Sequence, residues 1–266
     1  MDLASAELDG RWVELSDART PAGDRIVLRC RAGQFEIRFN GWELMSNRSH
    51  HSEDALAALA CEHLNVPAPR VLVGGLGMGY TLRALLDGLS AAAHVTVAEL
   101  LPEVADWNRG PLSHLASHPL EDARVTVLCR DVSGVLRTSP GSYDAIVLDV
   151  DNGPDAVTFS ANRQLYARDG LRLMRRALKP AGVLAVWSAS HSRRFEDTLA
   201  AAGFRWRGVE IPARGSPGDP MHVIYLATQH GVSARANDDA PSDAACIAKR
   251  RLTRRQSPAR PRGPDR

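Results

Sequence analysis

The chain has 266 residues, 44% of them hydrophobic, with a formal net charge of +2. That is enough apolar material to bury a sizeable core, and the near-neutral balance argues against a chain-wide nucleic-acid binder. The four cysteines (Cys30, Cys61, Cys129, Cys246) are widely spaced with no CxxC, which argues for free thiols in a reducing compartment rather than a disulfide frame or a zinc site. The opening MDLASAELDG is acidic and lacks an apolar core, and no run is long and apolar enough to span a bilayer, so a cytoplasmic chain is expected.

Residues 1–48 read as a small β-rich element. Stretches 11–15 (RWVEL), 25–31 (RIVLRCR) and 34–40 (QFEIRFN) alternate apolar and polar residues, and Asn40-Gly41 is a hairpin signal. The pattern leaves open a meander packed on the main domain, a lid, or the contact of a homodimer. Residues 52–64 (SEDALAALACEHL) read as a helix with Ser52 as N-cap and Glu53 and Asp54 in its first turn. His50 and His51 precede it, either as solvated loop residues or as a wall of a substrate pocket. Their spacing offers no metal site.

Residues 70–83 (RVLVGGLGMGYTLR) organise the main domain. Val71, Leu72 and Val73 suit a buried parallel strand, Gly75, Gly77 and Gly79 a tight turn, and the residues from Thr81 a helix. Strand, glycine turn and helix open a nucleotide-binding βαβ unit, because a bare backbone admits a ligand that a Cβ would block. The next strand, 94–100 (HVTVAEL), carries Glu99, 20 residues beyond Gly79, placed to accept two hydrogen bonds from a ribose diol.

A helix over 101–108 begins with Pro102, and strands at 124–128 and 143–149 lead to Asp131 and Asp149. Asp151, Asn152 and Gly153 form the turn after the second of these. A helix over 162–178 ends at Lys179-Pro180-Ala181-Gly182, followed by a strand at 183–187, a helix at 195–202, and strands at 204–211 and 222–228. This alternation predicts a doubly wound α/β sheet over residues 49–230. Glu99, Asp131 and Asp149 all fall at carboxyl ends of strands, the edge where open α/β sheets bind ligands, although such acids also serve as helix N-caps. Residues 231–266 are small, polar and then Arg-rich, and are expected to form a disordered basic tail.

These motifs together resemble the spermidine synthase-like branch of the class I S-adenosylmethionine-dependent methyltransferase fold. VLVGGLGMGYTLR (71–83) resembles that branch's VLIIGGGDGGTLR without a gap. YDAIVLDVDNGPDA (143–156) resembles YDVIIVDSTDPVGPA, and RALKPAGVLAVW (176–187) the widely shared RALKPGGVL. The resemblance implies a Rossmann-like sheet of seven strands, the last antiparallel. It implies a sulfonium nucleoside donor, S-adenosylmethionine or its decarboxylated form, rather than NAD. Gly75, Gly77, Gly79, Glu99 and Asp131 would bind the donor, and Asp149, helped by Asp151, would face a small-molecule amine acceptor. Neither a metal nor a specific nucleic acid is expected.

The departures from that pattern fall on the acceptor side and the donor's tail. Met78 stands where the family has the aspartate of GGGDGG, which holds the donor's amine end. Asn152 stands near its diamine-binding aspartate, and Ser52, Glu53 and Asp54 replace its Y-H-E. The readings are therefore aminopropyl transfer with a diverged acceptor pocket in which Asn152, His51 and Glu53 bind substrate, methyl transfer to a small molecule, or nucleoside binding without turnover.

Overall fold

The strand at 70–74 lies inside its sheet, flanked on both sides, and from Val71 on its residues are apolar and buried on both faces. In the computed structural model, which describes residues 10–150, 152–155 and 162–229, this strand is β5 (Arg70–Gly74). It follows the N-terminal strands β1 (Val13–Arg19), β2 (Arg25–Arg31), β3 (Gln34–Phe39) and β4 (Trp42–Ser46) and helix α1 (His51–Cys61). After it come α2 (Tyr80–Gly88), β6 (His94–Glu99), α3 (Pro102–Arg109), β7 (Val125–Cys129), α4 (Val132–Thr138) and β8 (Tyr143–Leu148). The remainder is α5 (Asn162–Tyr166), α6 (Arg168–Ala177), β9 (Leu178–Ser188), α7 (Arg193–Ala201), β10 (Phe204–Pro212) and β11 (Met221–Gln229). No helix among these residues is long and apolar enough to cross a membrane. The expected tail, 231–266, lies outside the described residues.

The main sheet has seven strands in the order β10-β11-β9-β8-β5-β6-β7. β5 pairs in parallel with β6 on one side and β8 on the other, and β11 runs antiparallel to β9 and to β10. This is the expected α/β fold with an antiparallel last strand. The chain leaves β5 toward β6 and β7, then returns to β8, so the strand order reverses beside β5. A crevice opens at the carboxyl ends of the strands at such a switch point.

Strand periodicity sorts the core into two layers. Val71, Val73, Ala145, Val147, Val183 and Ala185 face α1, α2 and α3, while Leu72, Ile146, Leu148, Leu184 and Val186 face α4 to α7. Each fully buried Leu or Ile here contributes roughly 1.5–3 kcal/mol. The four N-terminal strands form an antiparallel meander, and their inner residues Ile26, Leu28, Phe35 and Ile37 join the first layer. Of the three options left open, packing on the main domain is the one observed within this chain.

Three local expectations change. His50, not Ser52, holds the N-cap position of α1, and no side chain caps that end. The Ser52 hydroxyl is instead committed to Glu53 and His222. The single helix expected over 162–178 is two, because Ala167 is extended. A Cβ on Gly170 would stand 2.0 Å from the Leu165 carbonyl oxygen, so the second helix starts in contact with the end of the first and only glycine fits there. The Lys-Pro-Ala-Gly segment lies within β9, and Leu178 pairs with Tyr143.

Candidate active site

The glycine turn after β5 is held on three sides. Gly75 donates to the Ala98 carbonyl at 3.0 Å, and Asp149 donates its amide to the Gly74 carbonyl at 2.9 Å. Gly75 has φ +82°, and a Cβ there would meet the Asp149 carbonyl oxygen at 2.5 Å, so no larger residue could bring the turn this close to the end of β8. The Asn108 amide of α3 donates to the Gly77 carbonyl at 2.8 Å. From the N-terminal meander, Met45 lies over Gly77, and a Cβ on that glycine would stand 2.8 Å from its methyl carbon. Gly79 is the left-handed N-cap of α2 and offers no side chain to the first-turn amides. Those amides and the dipole of α2 form the electropositive end of the crevice.

Glu99 closes the turn from β6. One carboxylate oxygen accepts from the Leu76 amide and the other from the Leu101 amide, each at 2.9 Å. Burial pushes its pKa up, and the backbone amides of Leu101, Leu76 and Leu100 oppose that shift. Each oxygen keeps a second lone pair for a ligand diol, so the carboxylate shapes the turn as well as facing the crevice. Asp131 sits at the end of β7, where one of its oxygens accepts from the Ser133 and Gly134 amides at 2.9 and 3.2 Å and caps α4. Capping is therefore the contact the structure gives Asp131. Met78, in the place of the family's aspartate, is buried in the apolar layer with Leu82 and Leu101 and brings no charge to the crevice.

Two carboxylates converge where β8 ends. Asp149 accepts a 2.6 Å hydrogen bond from the Thr81 hydroxyl of α2. Burial pushes it above the usual carboxylate range, against the pull of Thr81. Glu53, in the first turn of α1, is pushed up to about 7, first by burial and then by the charge of Asp149, while the Ser52 hydroxyl opposes the shift. Tyr80 stands beside them and is raised to about 12 by burial and by Glu53 and Asp54. The His50 ring stacks on Tyr80, with centroids 4.4 Å apart and planes 13° apart, and bonds Asp54 at 3.0 Å.

Glu53 and Asp149 are thus brought to one place beside Gly75 and the glycine turn. His51 is not: its ring packs against Gly215 in the β10–β11 connection, where a Cβ would fall 3.1 Å from Nδ1. Asn152 lies in the turn beyond β8, with its carbonyl accepting from Ala189 at 3.2 Å. Asp151 lies outside the described residues. Thr81, Ser52 and Tyr80 adjoin these carboxylates, with His222 and Trp187 packed behind Ser52, and the sequence marked none of them as a site residue. For Tyr80 a signal existed, since it replaces a glycine of the resembled motif. His222 is 170 residues from Ser52, and no local pattern links them.

The carboxylate pair has a consequence for stability. Glu53 keeps its proton to about pH 7 in the folded chain and releases it near 4.5 when unfolded. Between these values the unfolded state binds fewer protons, so its ionisation lowers native stability as pH rises. Glu53→Gln is expected to flatten this part of the profile. Its melting temperature should fall less between pH 5 and pH 8 than that of the wild type in thermal unfolding scans.

A model of the spermine/spermidine synthase domain matches residues 53–197, from Glu53 through the glycine turn and Asp149 to α7. The chain belongs to the spermine/spermidine synthase family. Among relatives in the family, polyamine aminopropyltransferase 2 of Streptomyces coelicolor is 34% identical over 185 residues, covering 66% of this chain and 32% of the relative. Polyamine aminopropyltransferase 2 of Pseudomonas aeruginosa is 32% identical over 203 residues, covering 75% and 53% respectively. The chain therefore spans about a third and about half of these proteins. The fold also matches a spermidine synthase from Thermotoga maritima, with a TM-score of 0.64 and 16% identity over 81% of this chain and 72% of that one. A spermidine synthase in complex with the transition state analogue AdoDATO matches with a TM-score of 0.63 and 16% identity, over the same shares of the two chains.

Proposed function

We propose that this chain is an aminopropyltransferase that moves the aminopropyl group of decarboxylated S-adenosylmethionine to a small amine. The observation that carries the reading is the pair Glu53 and Asp149 at the carboxyl edge of the sheet, beside the glycine turn, in a chain of this family. The names of its relatives point to the same chemistry.

The reaction is a displacement at carbon. The acceptor nitrogen attacks the aminopropyl carbon bound to the sulfonium, the carbon–sulfur bond breaks, and methylthioadenosine leaves as a neutral thioether. The new ammonium then sheds a proton. The sulfonium is already a good leaving group, so the protein's work is to align the amine in line and supply a proton acceptor. Glu99 and the turn amides would hold the nucleoside. Asp149, fixed by Thr81, would orient the amine. Glu53, raised to about 7, has the proton affinity a general base needs near neutral pH. Two carboxylates also offset the cost of desolvating a cationic acceptor.

One observation favours a second reading. Buried Met78 leaves the donor's amine end without the family's aspartate, and an intact S-adenosylmethionine, whose own carboxylate neutralises that amine, then becomes a fitting methyl donor. Side-by-side calorimetry with the two donors and methylthioadenosine separates the readings. The expected result is tighter binding of the decarboxylated donor, about ten-fold or more. Preference for the intact donor would establish the methyltransferase reading instead, and no binding of any of the three would remove both.

A further inference from the structure

The Glu53 carboxylate does not stand alone. Its Oε2 accepts a 2.7 Å hydrogen bond from the Ser52 hydroxyl, and the Ser52 oxygen lies 3.1 Å from Nδ1 of His222 on β11. Ser52 is buried at 1% exposure. A serine has one hydroxyl hydrogen. When Glu53 is ionised that hydrogen goes to its carboxylate, and the serine oxygen then accepts from His222, with the imidazole hydrogen on Nδ1. Burial lowers the proton affinity of His222, which favours the neutral ring, and in the Nδ1–H tautomer that ring donates to Ser52. The edge of Trp187 on β9 packs against the ring, with centroids 4.7 Å apart and planes 73° apart, and holds it in orientation.

We propose that His222 and Ser52 are positioning residues for the proposed transfer, forming an imidazole–hydroxyl–carboxylate chain that aims Glu53 at the acceptor amine. The proposal rests on the aminopropyltransferase reading for the identity of the acceptor, and on the geometry alone for the chain. Mechanistically, the proton shed by the new ammonium passes to the free oxygen of Glu53, and Glu53 returns it to solvent after product leaves. The hydroxyl of Ser52 steadies the anion before transfer. The titratable groups around Glu53 are His50 on its own helix, Asp149 at the end of β8 and Tyr80 at the start of α2. The partners facing His222 are Ser52 and Trp187.

The test titrates the Glu53 side-chain carboxyl by carbon-13 NMR in the full-length protein, the signal being assigned from its loss in Glu53→Gln. Ser52→Ala and His222→Phe are each expected to raise the titration midpoint, by about one pH unit for Ser52→Ala because a hydrogen bond to the charged form is lost. The double variant should shift no further than Ser52→Ala alone, since the imidazole acts through the hydroxyl. Ser52→Thr, which keeps the hydroxyl, and His222→Asn, whose amide nitrogen can stand where Nδ1 stands, should restore the wild-type midpoint and guard against a folding artefact. With decarboxylated S-adenosylmethionine and a diamine, turnover should fall about ten-fold in Ser52→Ala, the acidic limb of the rate profile should move up, and donor KM should hold. Unchanged midpoints in both single variants, or shifts that add in the double variant, would overturn the chain. Shifted midpoints in a protein that transfers nothing to any amine would support the chain and overturn the proposed function.

Discussion

Asp149→Asn is expected to reduce turnover by about 10²-fold, because the acceptor amine loses the charge that orients it for in-line attack, while donor affinity changes little. The substitution is close to isosteric. The amide oxygen of Asn can still accept from the Thr81 hydroxyl, which now lies 2.6 Å from Oδ2, so the end of β8 should keep its shape. What disappears is a charge that burial already disfavours, and the variant should be no less stable than the wild type at neutral pH. The coupling adds a second effect. The charge of Asp149 is one of the causes that raise Glu53. With it gone, the Glu53 carboxyl should release its proton at lower pH, and the acidic limb of the residual activity should move down. Steady-state kinetics across pH 5–9 with calorimetry of the donor tests both parts. A large loss of donor affinity with kcat preserved would make Asp149 a donor ligand, and a rate profile that does not move would separate it from Glu53.

The frame of the fold was readable because its signals are local. A buried strand needs a run such as Val71–Val73, and a sharp turn needs glycine where φ is positive, as at Gly75 and Gly79. The ends of β6 and β8 were placed within about a residue because apolar runs stop where the carboxylates begin. The proposed donor half of the site is set directly by those ends. The proposed acceptor half was less legible, for a physical reason: it is assembled from α1, α2, β8, β9 and β11, whose residues are far apart in sequence. Ser52 looked like an N-cap because serine before an acidic turn usually is one. Here it is already inside the helix, and its hydroxyl finds a carboxylate and an imidazole. His51 drew notice as one of an adjacent pair, yet it packs on Gly215, while its neighbour His50 stacks on Tyr80. Asp131 had two meanings in the sequence, and its carboxylate does cap α4 through the Ser133 and Gly134 amides. Glu53, which the sequence offered as a substrate-binding candidate, is brought by the fold within electrostatic reach of Asp149.

Glu99→Ala should abolish measurable nucleoside binding and also destabilise the chain, because this carboxylate has two duties. It stands at the end of β6, where a ribose diol would reach it, and each of its oxygens also accepts a backbone amide, Leu76 of the glycine turn and Leu101 just before α3. Truncation leaves both amides without that acceptor in a site where Glu99 itself is only 8% exposed. Each buried amide left unpaired costs about 1–3 kcal/mol, so a total loss of roughly 2–6 kcal/mol is expected unless water enters the space. Glu99→Gln separates the two duties. Its amide oxygen can keep one of the two backbone bonds, but its NH₂ group then meets the other backbone N–H donor to donor, so part of the loss remains. The same NH₂ group cannot accept from a diol, which leaves one ligand bond at most. Chemical denaturation of both variants beside donor calorimetry gives the answer. If Glu99→Ala unfolds at the wild-type denaturant concentration, the amide bonds contribute nothing to the turn. If a well-folded Glu99→Gln binds the donor as tightly as the wild type, the carboxylate serves the turn alone and the nucleoside is held by the backbone of Gly75 to Gly79.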